Sequence, residues 1–250
     1  QLRHQSLRLL GLSAKVLIVD EVHACDCYMG ELLARLLYFH AALGGSAILL
    51  SATLPLAQRV RLLDAFAKGA GFESRAPRSQ EYPLATHLSS VATKPLEHRY
   101  AARRDAARDI AIEPLADEEA VLRRLHATVT GGGCAVWVRN TIVDAIAAWR
   151  TWTERYPDRP ATLFHARFAL CDRLAIGAKI AADFGPESTE ATRRGRLVIA
   201  TQVIEQSLDV DFDDMVTDLA PIDLVIQRAG RLQRHKRDES GNPVTGSDIE

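Results

Sequence analysis

The chain has 250 residues, is 47% hydrophobic and carries a formal net charge of -1. That length holds one large domain or two medium ones with real cores. The near-neutral charge excludes a global basic field, so any nucleic-acid contact has to come from local patches. The four cysteines, Cys25, Cys27, Cys134 and Cys171, form no Cys-x-x-Cys and no zinc spacing, which points to free thiols in a reducing cytoplasm. No apolar run is long enough to cross a bilayer. The chain opens on Gln1 and enters patterned sequence at once, as a fragment of a longer protein would.

In chain order, Leu2, Leu7, Leu9, Leu10 and Leu12 recur at helix-like spacing, with Gly11 as the stop. Val16-Leu17-Ile18-Val19 is an unbroken apolar run that reads as a strand buried on both faces. It ends in Asp20-Glu21-Val22-His23, then a tight connection through Gly30. Residues 31–43 read as a helix ended by Gly44-Gly45. Residues 47–50 read as a second buried strand capped by Ser51-Ala52-Thr53, and residues 57–66 as the next helix. Strand, helix and strand within so short a span make a parallel-sheet unit.

Six glycines and prolines break the periodicity between Lys68 and Pro114. This marks a linker over residues 76–116, between a first domain over 1–75 and a second over 117–250. Residues 82–88 and 97–100 read as strands opening the second domain. Its helices are expected over 118–129, 142–152, 170–184 and 221–234, the last with Pro221 in its first turn. Its strands are expected over 134–138, 162–164, 197–200 and 215–219. The alternation predicts an α/β, doubly wound parallel sheet.

Chemistry-bearing residues gather at strand ends, where open α/β sheets place their ligands. Asp20 is suited to hold a hard cation, directly or through water, and Glu21 to orient an attacking water. On a helix, Arg228, Arg231 and Arg234 would share one drifting face and repel unless an anion lay opposite. Gly230 among them would admit a ligand or backbone.

These motifs, taken together, resemble those of superfamily 2 helicases. They are Asp20-Glu21-Val22-His23, Ser51-Ala52-Thr53, Ala200-Thr201-Gln202 with Asp209, and residues 227–234 (QRAGRLQR). More narrowly, DEVHACDCYM (20–29), LSATLP (50–55), ATQVIEQSLDVDF (200–212) and TDLAPIDLVIQRAGRLQR (217–234) resemble the CRISPR-associated helicase-nuclease family of type I interference systems. WVRNT (137–141) and FHARF (164–168) match more weakly.

The resemblance implies two RecA-like domains, the first truncated at its N-terminus, with ATP and Mg2+ between them. It implies Asp20 and Glu21 at the metal, Glu21 on the hydrolytic water, and His23 coupling the nucleotide site to Ser51 and Thr53. Asp209, Gln227, Arg231 and Arg234 would face the nucleotide, the two arginines as fingers on the transferring phosphate. Thr201, Gln202, Arg139, Asn140 and Arg167 would touch nucleic acid. The implied partners are single-stranded DNA and a Cascade-type surveillance complex. The implied activity is ATP-dependent translocation during antiviral defence. The chain has no Gly-Lys pair and no His-Asp pair, so the phosphate-binding loop should precede Gln1 and the HD nuclease is outside this sequence. The fragment alone is then expected to be inactive. Another superfamily 2 DNA or RNA helicase, and a non-catalytic nucleic-acid-binding module, remain as alternatives.

Overall fold

The computed structural model describes residues 11–25, 27–92, 94–101, 109–205, 208–238 and 241–244. The leucine-patterned segment before Gly11 lies outside them, as do Asp26, Arg103, Arg104 and Arg108. The chain divides into two compact units, residues 1–109 and 110–250.

In the first unit, β1 (Val16–Val19) pairs in parallel with β2 (Ser46–Leu49), Val16 opposite Ser46 and Val19 opposite Leu49. Between them runs α1 (Cys27–Ala42) and after them α2 (Leu56–Gly69). The expected tight connection through Gly30 is instead the first turn of α1. Leu17, Val19, Ala47 and Leu49 point to Leu33, Leu37 and Leu62 on these helices. The opposite face is open, with Val16 and Ile18 59% and 63% exposed and Ile48 and Leu50 both 48% exposed. The expectation that these strands are buried on both faces is therefore corrected. Strand side chains alternate between faces, and the described residues cover only one.

The hairpin of β3 (Leu84–His87) and β4 (Leu96–Arg99) is antiparallel. It groups with the first unit and does not open the second. Tyr82 Oη accepts from Leu54 N at 2.8 Å and donates to Leu54 O at 2.5 Å. Arg59, 8% exposed, donates to Ser79 O and pairs with Glu97 at 3.7 Å. The boundary at 109/110 falls inside the stretch expected as a linker.

The second unit contains α3 (Glu118–Thr130), β5 (Ala135–Val138), α4 (Ile142–Arg155), β6 (Ala161–Phe164) and α5 (Leu170–Phe184). It continues with the short α6 (Glu190–Arg193), β7 (Leu197–Ala200), β8 (Asp214–Thr217) and α7 (Ile222–Ala229). Asp117 caps α3, its Oδ1 accepting from Ala120 N at 2.7 Å, and Thr141 caps α4. The four strands form one parallel sheet in the order β6-β7-β5-β8. Its faces are covered separately, as a doubly wound sheet requires. Val136, Val138, Val198, Ala200 and Phe164 meet Ile180, Phe184 and Phe212 on one side. Ala135, Trp137, Leu197 and Ile199 meet Leu125, Ala145, Ala148 and Trp152 on the other.

The register fixes the functional edge. Val138, Phe164, Ala200 and Thr217 are level neighbours. The residues that follow, Arg139, His165, Thr201 and Asp218, therefore line up along the carboxyl edge.

Candidate nucleotide and nucleic-acid sites

In the first unit, β1 and β2 end side by side, and Val22 N donates to Leu50 O at 3.1 Å. Glu21 adopts a left-handed conformation, φ 54°, which is uncommon for a residue with a Cβ. Its N–H is satisfied by Asp20 Oδ1 at 2.8 Å. This turn aims Glu21 back at His23, whose Nε2 lies 2.8 Å from Glu21 Oε2. His23 Nδ1 faces Ser51 Oγ at 3.2 Å and accepts from Ala52 N at 3.3 Å. Ser51 Oγ donates to Thr53 O at 2.6 Å. Glu21, His23, Ser51 and the Thr53 carbonyl thus form one continuous chain of contacts. Glu21 is turned to His23, and Asp20 alone presents an exposed carboxylate without an ion-pair partner. Among the described residues no group of three or more His, Cys, Asp or Glu side chains is placed to hold a metal ion.

In the second unit, Asn140, Ala166, Arg167, Thr201 and Gln202 line one groove of about 440 Å³, with Ile142, Val143 and Val203. It opens over the ends of β5, β6 and β7. Arg167 is exposed, while Thr201 is 5% exposed with its N–H donated to Phe164 O at 3.1 Å. Arg139 is not a lining residue. Its Nε donates to Asp218 Oδ2 at 3.1 Å and its guanidinium lies 4.9 Å from the centre of the Trp137 ring. His165, beside the groove, is 6% exposed and stacked on Phe168. Its Nδ1 is buried without a hydrogen-bond partner. Desolvation lowers its pKa below 6.5, its own backbone opposes, and the Arg167 charge adds to the lowering.

The expected helix over 221–234 is corrected. α7 ends at Ala229 and Gly230 is its C-cap, φ -62°. Gly230 therefore terminates the helix, and the crowding its absent Cβ avoids is with Gln227 O at 3.2 Å. The chain then turns, with Gln233 at φ 46°. Phe212 N donates to Arg231 O and Gln233 N donates to Phe212 O. The three arginines consequently share no helical face. Arg228 is 1% exposed. Arg231 Nη2 donates to Glu205 O at 2.6 Å. Arg234 Nε lies 2.7 Å from Asp209 Oδ1, both partly exposed. Gln227 Nε2 is buried with no partner, a donor that a ligand would satisfy.

A family model described as CRISPR-associated nuclease/helicase Cas3, C-terminal, matches residues 131–237. The CRISPR-associated endonuclease/helicase Cas3 of Escherichia coli (strain K12) is 36% identical over 245 residues, covering 94% of this chain and 27% of that protein. These matches support a Cas3 helicase fragment. The crystal structure of T. fusca Cas3 with ATP superposes with a TM-score of 0.77 at 33% identity, covering 93% of this chain and 29% of that one. A chain of a pre-nicking CRISPR RNA-guided surveillance complex gives 0.78 at 31% identity, over 96% and 32%. The fold is that of Cas3 helicase domains, α/β with parallel sheets. The chain spans about a quarter of the length of the curated Cas3 relative.

The match to the Cas3 family model takes in the groove and the Asp209–Arg234 pair, while Asp20–His23 lies outside it. Sequence reasoning missed Glu205 and Asp218. Glu205 directly follows the apolar pair Val203-Ile204, and Asp218 follows a partly buried strand; a charge placed there is a signal that it is being held for a reason.

Proposed function

We propose that this chain is part of the ATP-dependent single-stranded DNA translocase of a type I CRISPR interference system. The observation that carries the reading is the Glu21–His23–Ser51 chain. It ties a carboxylate able to orient water to a second strand end, so a change at the nucleotide is felt beyond it. The Cas3 relatives and the ATP-bound neighbour support this reading.

The residues fit the nucleotide and its metal. Asp20 offers the single carboxylate that Mg2+ takes when phosphate oxygens and water supply the rest. Gln227 has a buried amide nitrogen to donate, and Arg231 and Arg234 follow it. ATP and Mg2+ would supply the phosphoryl group and its charge neutralisation. Glu21, held by His23, would accept the proton of the attacking water. Arg234 would exchange Asp209 for phosphate oxygens, leaving Asp209 to the sugar. The groove of Asn140, Arg167, Thr201 and Gln202 would carry the DNA backbone. The parent protein would act in the cytoplasm with a Cascade-type complex. Among the described residues no helix is long and apolar enough to cross a membrane.

The test is Glu21→Gln in the longer protein that contains these residues. DNA-stimulated hydrolysis is lost while ATP binding is kept; normal hydrolysis overturns the assignment. The 250-residue chain alone is expected to hydrolyse ATP poorly or not at all, and DNA-stimulated turnover by it would contradict that. Stronger stimulation by RNA than by DNA would favour an RNA helicase.

A further inference from the structure

Arg228 sits where no solvent or ligand reaches it. Its Nε donates to Glu205 Oε1 at 2.7 Å, and the two side chains are 1% and 4% exposed. Nη1 donates to Thr217 Oγ1 at 2.5 Å and to Asp218 O at 3.3 Å. Both terminal nitrogens share Asn140 Oδ1 at 3.5 and 3.4 Å. Two further links extend the set. Asp218 Oδ2 accepts from Asn140 N at 2.8 Å and Arg139 Nε at 3.1 Å. Glu205 O accepts from Arg231 Nη2 at 2.6 Å.

A single guanidinium therefore joins the groove turn at Asn140 to the residue that holds Arg231. Stability alone is a weak reason for such an arrangement, because a packed apolar pair of similar volume often serves as well as a buried ion pair. What an apolar pair cannot do is hold three elements in one fixed orientation through directional bonds. The elements here are the end of β8, the turn after β5 and the segment after β7.

We propose that Arg228 is a positioning residue, with Glu205 and Asn140 as its two arms, that transmits occupancy of the groove to the segment 231–234. This rests on reading the groove as the DNA site and that segment as part of the nucleotide site. When a strand takes up Asn140, the turn 139–140 and Asp218 shift together. Arg228 moves with them, and Glu205 carries the shift to Arg231. The ion pair stays intact throughout, since separating it would leave a buried charge.

The experiment uses this chain and a labelled oligothymidine, read by amide hydrogen exchange. Gln233 N and Arg234 N report on the distal segment, because they are bonded to Phe212 O and Asp211 Oδ1. In the wild type, saturation with oligothymidine slows exchange at these two amides by about fivefold. In Arg228→Lys the slowing falls below about twofold, because an ammonium keeps the charge but cannot span all three partners. Glu205→Gln, which keeps the shape, gives the same loss should the lysine variant fold poorly. Slowing confined to the groove, or an Arg228→Lys response equal to wild type, overturns the proposal. A ligand-free comparison separates it from the function it rests on. Asn140→Ala speeds exchange at Gln233 and Arg234 in the wild-type background and not beside Arg228→Lys. If it does so in a chain that binds no oligothymidine, the linkage stands and the DNA reading falls. If it leaves both amides unchanged, the linkage falls.

Discussion

His23 Nε2 lies 2.8 Å from Glu21 Oε2 while its other ring nitrogen accepts the Ala52 N–H at 3.3 Å. Ser51 spends its one proton on Thr53 O. The Ala52 bond then fixes Nδ1 as an acceptor and puts the ring proton on Nε2, facing the carboxylate. His23→Ala removes both contacts from a side chain that is 8% exposed. The expected cost is about 1–3 kcal/mol in the first unit. It is checked by faster exchange at the Ala52 amide and a lower unfolding midpoint. An unchanged Ala52 amide would show that the histidine holds nothing.

The second unit depends on one buried carboxylate. Asp211 is 1% exposed and accepts from Arg193 Nη1 at 3.1 Å, Arg237 Nε at 2.9 Å and Arg234 N at 2.7 Å. Removing it leaves two guanidinium groups without their shared counter-charge. Asp211→Ala should cost about 3–5 kcal/mol. All three tryptophans, Trp137, Trp149 and Trp152, lie in this unit, so denaturation followed by tryptophan fluorescence reads it alone. A loss below about 1 kcal/mol would mean that water or another group replaces the carboxylate.

Much of this was legible in the sequence because period and strand-end polarity carry it. The strand Leu197–Ala200 and helix Leu170–Phe184 match the expected spans, and four of the five expected nucleic-acid residues share one groove. The failures have physical causes. Val16–Val19 is as apolar as a doubly covered strand, and an apolar run does not reveal whether a second layer is present. Arginines at every third position look like one helical face, but Gly230 ends the helix before two of them. Arg139 resembles a backbone contact until Asp218, far along the chain, takes its Nε. Long-range pairings of this kind have no local signature.

Acid should loosen the groove first. The His165 pKa is held below 6.5, chiefly by desolvation. A histidine with a depressed folded pKa contributes stability above its unfolded pKa and loses it as pH falls through the folded value. His235, also lowered by desolvation although Asp209 and Asp211 oppose it, acts in the same direction. The tryptophan-monitored midpoint is therefore expected to drop as pH falls below 6.5. His165→Gln, which does not titrate, should flatten part of that drop. An equal drop in the variant would assign the acid sensitivity elsewhere.

Arg167 and Arg139 make a paired test of the groove. Both arginines stand just past a strand end, but only Arg167 is exposed in the groove, while Arg139 is tied to Asp218. A phosphate contact to a single strand contributes a slope of about -0.7 to log affinity against log salt. Arg167→Ala should therefore weaken oligothymidine binding by a similar factor on every sequence and reduce the slope by about 0.7. Arg139→Ala should leave the slope nearly unchanged and act through the turn at Asn140, where Asp218 would lose one of its two donors. Anisotropy titrations across a salt series separate the two. Equal slope changes for both variants would mean that Arg139 leaves Asp218 when a strand arrives, and no change for either would move the DNA path off this edge.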